Sequence, residues 1–125
     1  MVNSEKMSLI YKYSIKATPP SNNKYIGKDQ RWQYQSDKKQ WARIIQLFCV
    51  PRPREPLRKS RVTIIYYFKD KRRRDPDNYS GKFILDGLVR SGIIKDDSFD
   101  CIELRLIGTV DKDNPRTEIL LEGEQ

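Results

Sequence analysis

The sequence predicts one small α/β (α+β) domain, residues 1–125, in which a mixed sheet of about four strands packs against two main helices. Two observations support this fold class. Apolar residues recur at every second position in four segments, as in strands, and at helical spacing in two others. These segments follow one another in the order β-α-β-α-β-β, which is typical of a mixed sheet with helices packed on it. A length of 125 residues also suits a single domain.

The first half of the chain is predicted to form a strand, a loop and a helix. Residues 8–16 alternate and place one apolar set on a single face: Leu9, Tyr11, Tyr13 and Ile15. Residues 17–29 contain Pro19-Pro20 and Gly27 and are predicted to form a loop. Residues 36–49 are predicted to form a helix with Ser36 as its N-cap. Its apolar stripe consists of Trp41, Ile44, Ile45 and Phe48. Three prolines then end the helix and form an extended basic linker: Pro51, Pro53 and Pro56.

The second half is predicted to form a strand, a helix and two further strands. Both faces of residues 61–69 are apolar or aromatic, which is typical of a central strand. A helix is predicted to begin near Asp77/Asn78 and to run through Val89, with Ser91-Gly92 as its C-terminal stop. Alternation predicts a third strand at Ile102, Leu104 and Leu106. A turn at residues 113–115 and a fourth strand at 117–121 suggest that the last two strands form a hairpin.

The absence of histidine excludes several kinds of active site. It removes Ser-His and Cys-His nucleophile pairs and the His-metal nucleases. The two cysteines, Cys49 and Cys101, cannot complete a structural zinc site by themselves. They are expected to be buried free thiols in a reducing cytoplasm. No segment has the length and apolar character of a membrane helix or a secretory signal, so no membrane association is expected.

The net charge of +8 is distributed unevenly along the chain. Residues 52–74 contain ten basic and two acidic side chains, whereas residues 75–125 contain six basic and twelve acidic ones. The sign therefore changes abruptly between Arg74 and Asp75. A basic segment that adjoins a carboxylate cluster indicates a bound polyanion beside a bound metal ion. The side chains expected to bind DNA are Lys69, Lys71, Arg72, Arg73, Arg74 and Asn78.

The carboxylates that follow this basic segment predict a magnesium site. Mg²⁺ prefers carboxylate oxygens and usually takes further oxygens from water and from substrate phosphate. Asp75 and Asp77 would point the same way if the chain is extended there, and Pro76 favours an extended conformation for Asp75. Asp97 is the expected third ligand, with Asp96 as the alternative, if the chain doubles back after Gly92. Metal-assisted hydrolysis of a phosphodiester would follow.

Lys82 is the expected catalytic cation, which would stabilise the transition state or orient the attacking water. Asp86 lies four residues further on and has two interpretations: a surface ion pair with Lys82, or a partly buried carboxylate between Leu85 and Leu88. Simpler explanations also exist for the other features. Asp-Pro-Asp-Asn is a good turn and N-cap sequence by itself, and three arginines are commonly a solvated surface.

The order and spacing of these residues resemble the RusA family of Holliday junction resolvases, found mostly in bacteriophages and prophages. The resemblance spans roughly residues 19–107 and is strongest over 72–97. It is carried by Arg72-Arg73-Arg74-Asp75-Pro76-Asp77-Asn78, Lys82, Asp86-Gly87-Leu88 and Ser91-Gly92-Ile93-Ile94-Lys95-Asp96-Asp97. Weaker similarity lies at Pro20-Ser21-Asn22-Asn23 and Lys39-Gln40-Trp41.

The resemblance implies a homodimeric nuclease that makes paired cuts in four-way DNA junctions with Mg²⁺ or Mn²⁺. It implies metal and catalytic roles for Asp75, Asp77 and Asp97, and a catalytic role for Lys82. The family places its lysine three residues after the asparagine, whereas Lys82 follows Asn78 by four. Symmetry independently favours a dimer, because two symmetry-related cuts need two sites and a C₂ dimer supplies them. An exposed apolar part of the sheet or of the first helix is the expected interface.

Two other functions remain open from the sequence. One is a PD-(D/E)xK nuclease that uses Pro76-Asp77 and Glu103-Leu104-Arg105, although that motif requires lysine where Arg105 stands and arginine is a poor base. The other is a non-catalytic phage DNA-binding accessory protein that uses the basic segment 52–74 alone.

Overall fold

A computed structural model describes residues 9–27 and 29–124 of the chain. The elements, in chain order, are β1 (Leu9–Ile15), α1 (Arg31–Phe48), β2 (Lys59–Phe68), α2 (Lys82–Arg90), β3 (Ile102–Val110) and β4 (Arg116–Glu124). Two short 3₁₀ helices, Asn22–Tyr25 and Pro76–Asn78, precede α1 and α2. The strands form one mixed sheet in the order β1-β4-β2-β3. The predicted fold class and element order are therefore confirmed.

β2 lies inside the sheet, as its two apolar faces predicted. It pairs in parallel with β3 and antiparallel with β4. Val62, Ile64 and Tyr66 are buried on the face that α2 covers. The opposite face carries ion pairs instead, with Arg61 against Glu103 and Arg116 against Glu118. Alternate residues of a strand point to opposite faces, so β2 supplies the core with every second residue.

The predicted hairpin between the last two strands is wrong. β4 inserts between β1 and β2, so that β2 separates it from β3. Residues 111–115 carry the chain from β3 past the end of β2, where the Asp111 amide donates to the Phe68 carbonyl at 2.8 Å. A turn sequence indicates a reversal of direction but not which strand lies beside the returning one. In consequence β3 is an edge strand of the described sheet.

α1 begins at Arg31, five residues before the prediction, and its N-cap is Gln30 rather than Ser36. The added turn is stabilised by packing, because the Tyr34 ring contacts Tyr25 and Phe83 with ring centroids 5.2 Å apart in each case. The predicted apolar stripe is correct at its centre, where Trp41 and Ile45 are buried. It is wrong at its end, where Phe48 is 58% exposed.

α2 begins at Lys82, later than predicted, because Gly81 interrupts the helical path. Gly81 has φ +81°, and a Cβ there would lie 2.5 Å from Ile64 Cδ1. Asp77 and Asn78 instead belong to the separate 3₁₀ helix. The end of α2 matches the prediction, with Ser91 as C-cap and Gly92 at φ +73°. Gly87 lets α2 approach α1 closely, since a Cβ there would lie 2.7 Å from Ile45 Cγ1.

The described cysteines are both free, as predicted. Cys49 is fully buried at the end of α1, and burial raises the pKa of its thiol to about 12. Cys101 is only half-buried. Neither cysteine therefore forms a disulfide between elements of the fold, and the helices and the sheet are held together by packing.

Candidate active site

Asp75 and Asp77 lie in one tight turn that leads from β2 towards α2. Asp75 is extended, with φ −107° and ψ 142°, as Pro76 predicted. The chain does not stay extended, however, because Pro76–Asn78 forms a 3₁₀ turn. The Asn78 amide donates to the Asp75 carbonyl at 3.0 Å and the Tyr79 amide to the Pro76 carbonyl at 3.1 Å. The expectation of an extended chain across both aspartates is thus wrong, and a compact turn places them near each other instead.

The loop before α1 contacts this turn from the other side. Asn22 Nδ2 donates to the Asp77 carbonyl at 2.9 Å and to Ser80 Oγ at 3.2 Å. The motif Ser21-Asn22-Asn23 was noted in the sequence without a role, since 55 residues separate Asn22 from Asp77. The feature of this motif that the sequence could have indicated is a helix N-cap. Ser21 is the N-cap of the 3₁₀ helix Asn22–Tyr25, and the Ser21 side chain accepts a hydrogen bond from the Asn23 amide.

The three arginines before Asp75 have different surroundings. Arg73 is 88% exposed in its side chain, and its Nε lies 3.2 Å from Asp75 Oδ1. Arg74 is only 14% exposed in its side chain, which pairs with Asp70 at 2.9 Å and lies over the Phe68 ring at 4.3 Å. Arg72 is exposed. Arg72 and Arg73 are therefore free to face solvent, whereas Arg74 holds the turn together.

Asp70 fixes the other end of the basic turn. Its carboxylate accepts from the Arg72 amide at 3.0 Å and from the Arg74 guanidinium. These two hydrogen bonds lower the pKa of Asp70 below its usual value. Arg74 Nη1 also donates to the carbonyls of Asp70 and Arg72, each at 3.0 Å. The backbone that carries the exposed arginines is thus ordered by an acidic residue that the sequence analysis did not single out.

Two clefts border Asp75. One, of about 340 Å³, is lined on its basic side by Arg72, Arg73 and Arg74 and also by Ser21, Asn23, Asn78 and Tyr79. The other, of about 240 Å³, has an aromatic wall of Tyr66, Phe68 and Tyr79 and reaches β3 at Leu106, Ile107 and Gly108. Lys69 and Lys71 are exposed and line neighbouring clefts. All six residues predicted to bind DNA therefore lie around the turn that carries the aspartates.

Lys82 stands at the first position of α2 and is exposed. Its Nζ lies 5.2 Å from the centre of the Tyr34 ring, and no described residue forms an ion pair with it. The possible pair with Asp86 is therefore not formed. Asp86 is instead half-buried, 3.8 Å from Lys38 Nζ and 3.9 Å from Arg90 Nε. Among the described residues, none forms a hydrogen bond with its Oδ2 atom.

Asp97 borders a separate cleft, of about 710 Å³, beside the start of β3. Its lining is mainly apolar: Leu85, Phe99, Ile102 and Leu104, together with Ser98 and Glu103. Asp96 is exposed and lines none of these clefts. Within residues 9–27 and 29–124, no three acidic or cysteine side chains are close enough to hold a metal ion. The fold of one chain thus brings Asp75 and Asp77 together and leaves Asp97 at a different cleft, beside the start of β3.

A family model for endodeoxyribonuclease RusA matches residues 14–122, which is nearly the whole chain. The chain belongs to the RusA family. The resemblance inferred from the spacing of the aspartates is therefore confirmed, and this RusA-family protein is an endodeoxyribonuclease. No individual curated protein matches it. Neither α1 nor α2, the two longer helices of the described part, has the length and apolar character needed to cross a membrane.

The geometry also argues against the PD-(D/E)xK alternative for this RusA-family chain. Glu103 Oε2 lies 3.1 Å from Arg61 Nε, on the sheet face that the helices leave uncovered. Its carboxylate is therefore engaged away from the turn that carries Asp75. Arg105 occupies the position where that motif needs lysine.

Proposed function

We propose that this protein is a Mg²⁺-dependent endonuclease that resolves four-way DNA junctions by paired phosphodiester cleavage, with Mn²⁺ as a possible substitute. The observation that carries the proposal is the aspartate turn itself. Two carboxylates stand in one turn, the exposed Arg72 and Arg73 precede them, and the chain is a RusA-family endodeoxyribonuclease. Such a nuclease would act in DNA recombination and repair in a bacterial cell, encoded by a phage or prophage.

The residues of the turn fit a hard divalent cation. Asp77 is exposed and Asp75 is 46% exposed in its side chain, so both can bind an ion together with water and a substrate phosphate. Mg²⁺ is commonly held by one or two carboxylates plus phosphate oxygens. When bound, it would neutralise charge on the scissile phosphate and lower the pKa of an attacking water. Exposed cations beside it, Arg72 and Arg73, would hold the neighbouring phosphates.

We propose Asp97 as a third ligand that comes from a second subunit. The cleft of Asp97 lies beside Ile102–Leu104, and the cleft of Asp75 lies beside Leu106–Gly108. If two β3 strands pair antiparallel about a two-fold axis at Arg105, residue 103 of one copy faces residue 107 of the other. Asp97 of the partner subunit then approaches Asp75 and Asp77.

The outer edge of β3, which no described strand pairs with, has the apolar character that this pairing needs. Leu104, Ile107 and Val110 are 37%, 47% and 42% exposed, and Phe99 beside them is 99% exposed. A long apolar edge strand exposes unpaired backbone groups and normally requires a covering element. A second copy of β3 provides that cover, and two-fold symmetry supplies the two sites that paired cuts require.

Lys82 is proposed to act on the phosphate rather than on the metal. Its side chain is exposed and unpaired among the described residues, so its ammonium is available to substrate. Gly81 gives the start of α2 a left-handed residue, which accommodates the extra residue between Asn78 and Lys82. An ammonium at this place would stabilise negative charge that develops during cleavage.

The direct test is cleavage of a labelled four-way junction with Mg²⁺, beside a linear duplex of the same sequence. We expect paired cuts in the junction and little cutting of the duplex. Asp77→Asn and Asp75→Asn should retain junction binding and lose cleavage, while Asp113→Asn, in the exposed turn after β3, should behave as wild type. Absence of metal-dependent nicking by the wild type would favour the accessory-protein alternative.

Mixed dimers test whether Asp97 acts across the subunits. Asp77→Asn and Asp97→Asn homodimers should each be inactive. If Asp97 acts in trans, a heterodimer of the two variants contains one intact site and should nick the junction once without resolving it. If all ligands come from one chain, the heterodimer contains no intact site and should remain inactive.

A further inference from the structure

The loop before α1 reaches the aspartate turn through one side chain. Asn22 Nδ2 lies 2.9 Å from the Asp77 carbonyl and 3.2 Å from Ser80 Oγ. A carbonyl oxygen only accepts hydrogen bonds, so the amide nitrogen of Asn22 must be the atom that faces it. An amide NH₂ has two hydrogens, and here each has an acceptor. Asn22 therefore bridges the middle residue of the 3₁₀ turn, Asp77, and Ser80, which lies two residues before α2.

The turn that Asn22 holds has little support of its own. A single 3₁₀ turn has strained hydrogen-bond geometry and is stable only in short pieces. Its own backbone bonds use the carbonyls of Asp75 and Pro76 and leave that of Asp77 to an outside donor. The Asp77 side chain is exposed, and no described residue donates a hydrogen bond to its carboxylate. The direction of that carboxylate consequently depends on how firmly the Asp77 backbone is held.

Asn22 can act as a firm support because its own turn is anchored to α1. Asp37 is buried in α1, and its Oδ2 accepts from Lys24 Nζ at 2.8 Å and from Tyr25 OH at 2.7 Å. Its Oδ1 accepts from Gln33 at 2.9 Å. The Tyr25 ring also packs edge-on against Phe83 of α2, with centroids 5.9 Å apart. The 3₁₀ helix that begins with Asn22 is thus held by both helices.

We infer that Asn22 is a positioning residue, which fixes the Asp77 backbone so that Asp75 and Asp77 present their carboxylates together to a divalent cation. This inference rests on the proposed metal-dependent cleavage. Groups that orient metal ligands from behind typically change metal affinity or activity by about 10- to 100-fold when they are removed. Asn22 touches neither substrate nor cation, so its loss acts through Asp77.

Two variants and one control separate this role from a merely structural one. Asn22→Ala removes the amide, and Asn22→Asp keeps its shape but turns a carboxylate oxygen towards the Asp77 carbonyl. Asn114→Ala is the matched control, since Asn114 is exposed in the turn after β3. The measurements are the junction cleavage rate against Mg²⁺ concentration, the junction affinity without metal, and hydrogen–deuterium exchange over residues 75–80.

For both Asn22 variants we expect the half-saturating Mg²⁺ concentration to rise about tenfold or more. Junction affinity without metal should stay within about twofold of the wild type, because Asn22 does not contact the DNA. Hydrogen–deuterium exchange of the amides of residues 75–80 should become faster, whereas exchange of the β4 amides should not change. The inference is overturned if exchange at 75–80 is unchanged, if the Mg²⁺ dependence is unchanged, or if junction affinity falls as much as cleavage. A wild type that never cleaves would refute the proposed function separately, and the exchange measurement would still decide whether Asn22 holds the turn.

Discussion

Arg73 Nε lies 3.2 Å from Asp75 Oδ1, although 88% of the Arg73 side chain is exposed to solvent. Exposed ion pairs stabilise proteins by only about 0–1 kcal/mol. Arg73 can therefore leave Asp75 at little cost when a phosphate and a cation approach. The Arg73–Asp75 ion pair can therefore be exchanged for contacts of Arg73 with phosphate and of Asp75 with the cation.

Arg73→Gln should weaken junction binding and reduce the slope of log affinity against log salt by about 1, as expected for one lost phosphate contact. The free energy of unfolding should change by less than about 0.5 kcal/mol, as for other exposed substitutions. Junction affinity measured at several salt concentrations checks this. Lys12→Gln on β1 is the matched control, and an equal loss of slope in that variant would contradict a specific role for Arg73.

Arg74→Lys should lower the free energy of unfolding by about 1–2 kcal/mol, because a lysine cannot reproduce the guanidinium's several charged hydrogen bonds. The native guanidinium pairs with Asp70, donates to two carbonyls and covers the Phe68 ring. Urea unfolding followed by tryptophan fluorescence measures the change. The same substitution at Arg73 should leave the free energy of unfolding unchanged. If Arg74→Lys also leaves it unchanged, the contacts of Arg74 do not stabilise the turn.

Gly81→Ala should be strongly destabilising and should disturb the start of α2. A left-handed conformation costs an alanine about 1–2 kcal/mol, and its Cβ would also lie 2.5 Å from Ile64 Cδ1. The double variant Gly81→Ala/Ile64→Val tests the two causes separately, since valine lacks Cδ1. It should lose less stability relative to Ile64→Val alone than Gly81→Ala loses relative to the wild type. Equal losses would mean that the contact with Ile64 contributes nothing.

Asp37→Asn should destabilise the protein at neutral pH, by about 1–3 kcal/mol for a disrupted buried hydrogen-bond network. Burial opposes the charged form, but the hydrogen bonds from Lys24, Tyr25 and Gln33 outweigh it and lower the pKa of Asp37. A carboxyl with a lowered pKa stabilises the fold above its unfolded pKa of about 3.9 and loses that effect as the pH falls through its folded pKa. The difference between wild type and variant should therefore shrink below about pH 4. Urea titrations at pH 7 and pH 3 measure it, and a difference that grows on acidification would contradict the assignment.

Leu104→Lys/Ile107→Lys should convert a dimer into a monomer and abolish paired cleavage, because both side chains lie on the exposed edge of β3. Light scattering coupled to gel filtration measures the mass. Leu47→Lys/Phe48→Lys is the control, since these residues form another exposed apolar surface, at the end of α1. Dissociation by the α1 variant and not by the β3 variant would place the interface on α1.

Local patterns were sufficient for some features of the fold, although they misplaced the N-terminal ends of α1 and α2. The two apolar faces of β2 predicted a central strand, and Ser91-Gly92 predicted the end of α2. The family resemblance could also be inferred, because the order and spacing of residues such as Asp75, Asp77 and Asp97 are properties of the sequence alone, and the family model that matches residues 14–122 confirms it.

What the sequence by itself determined is the set of elements, the chemical character of the Arg72–Asn78 segment and the family. Only the tertiary structure decided that β4 inserts beside β2, that Asn22 holds the Asp77 carbonyl, and that Asp97 borders a different cleft from Asp75. The reason is physical. Periodicity and turn chemistry act over a few residues, whereas these three features are contacts between segments far apart in the chain, which form only when the whole sheet packs against its helices.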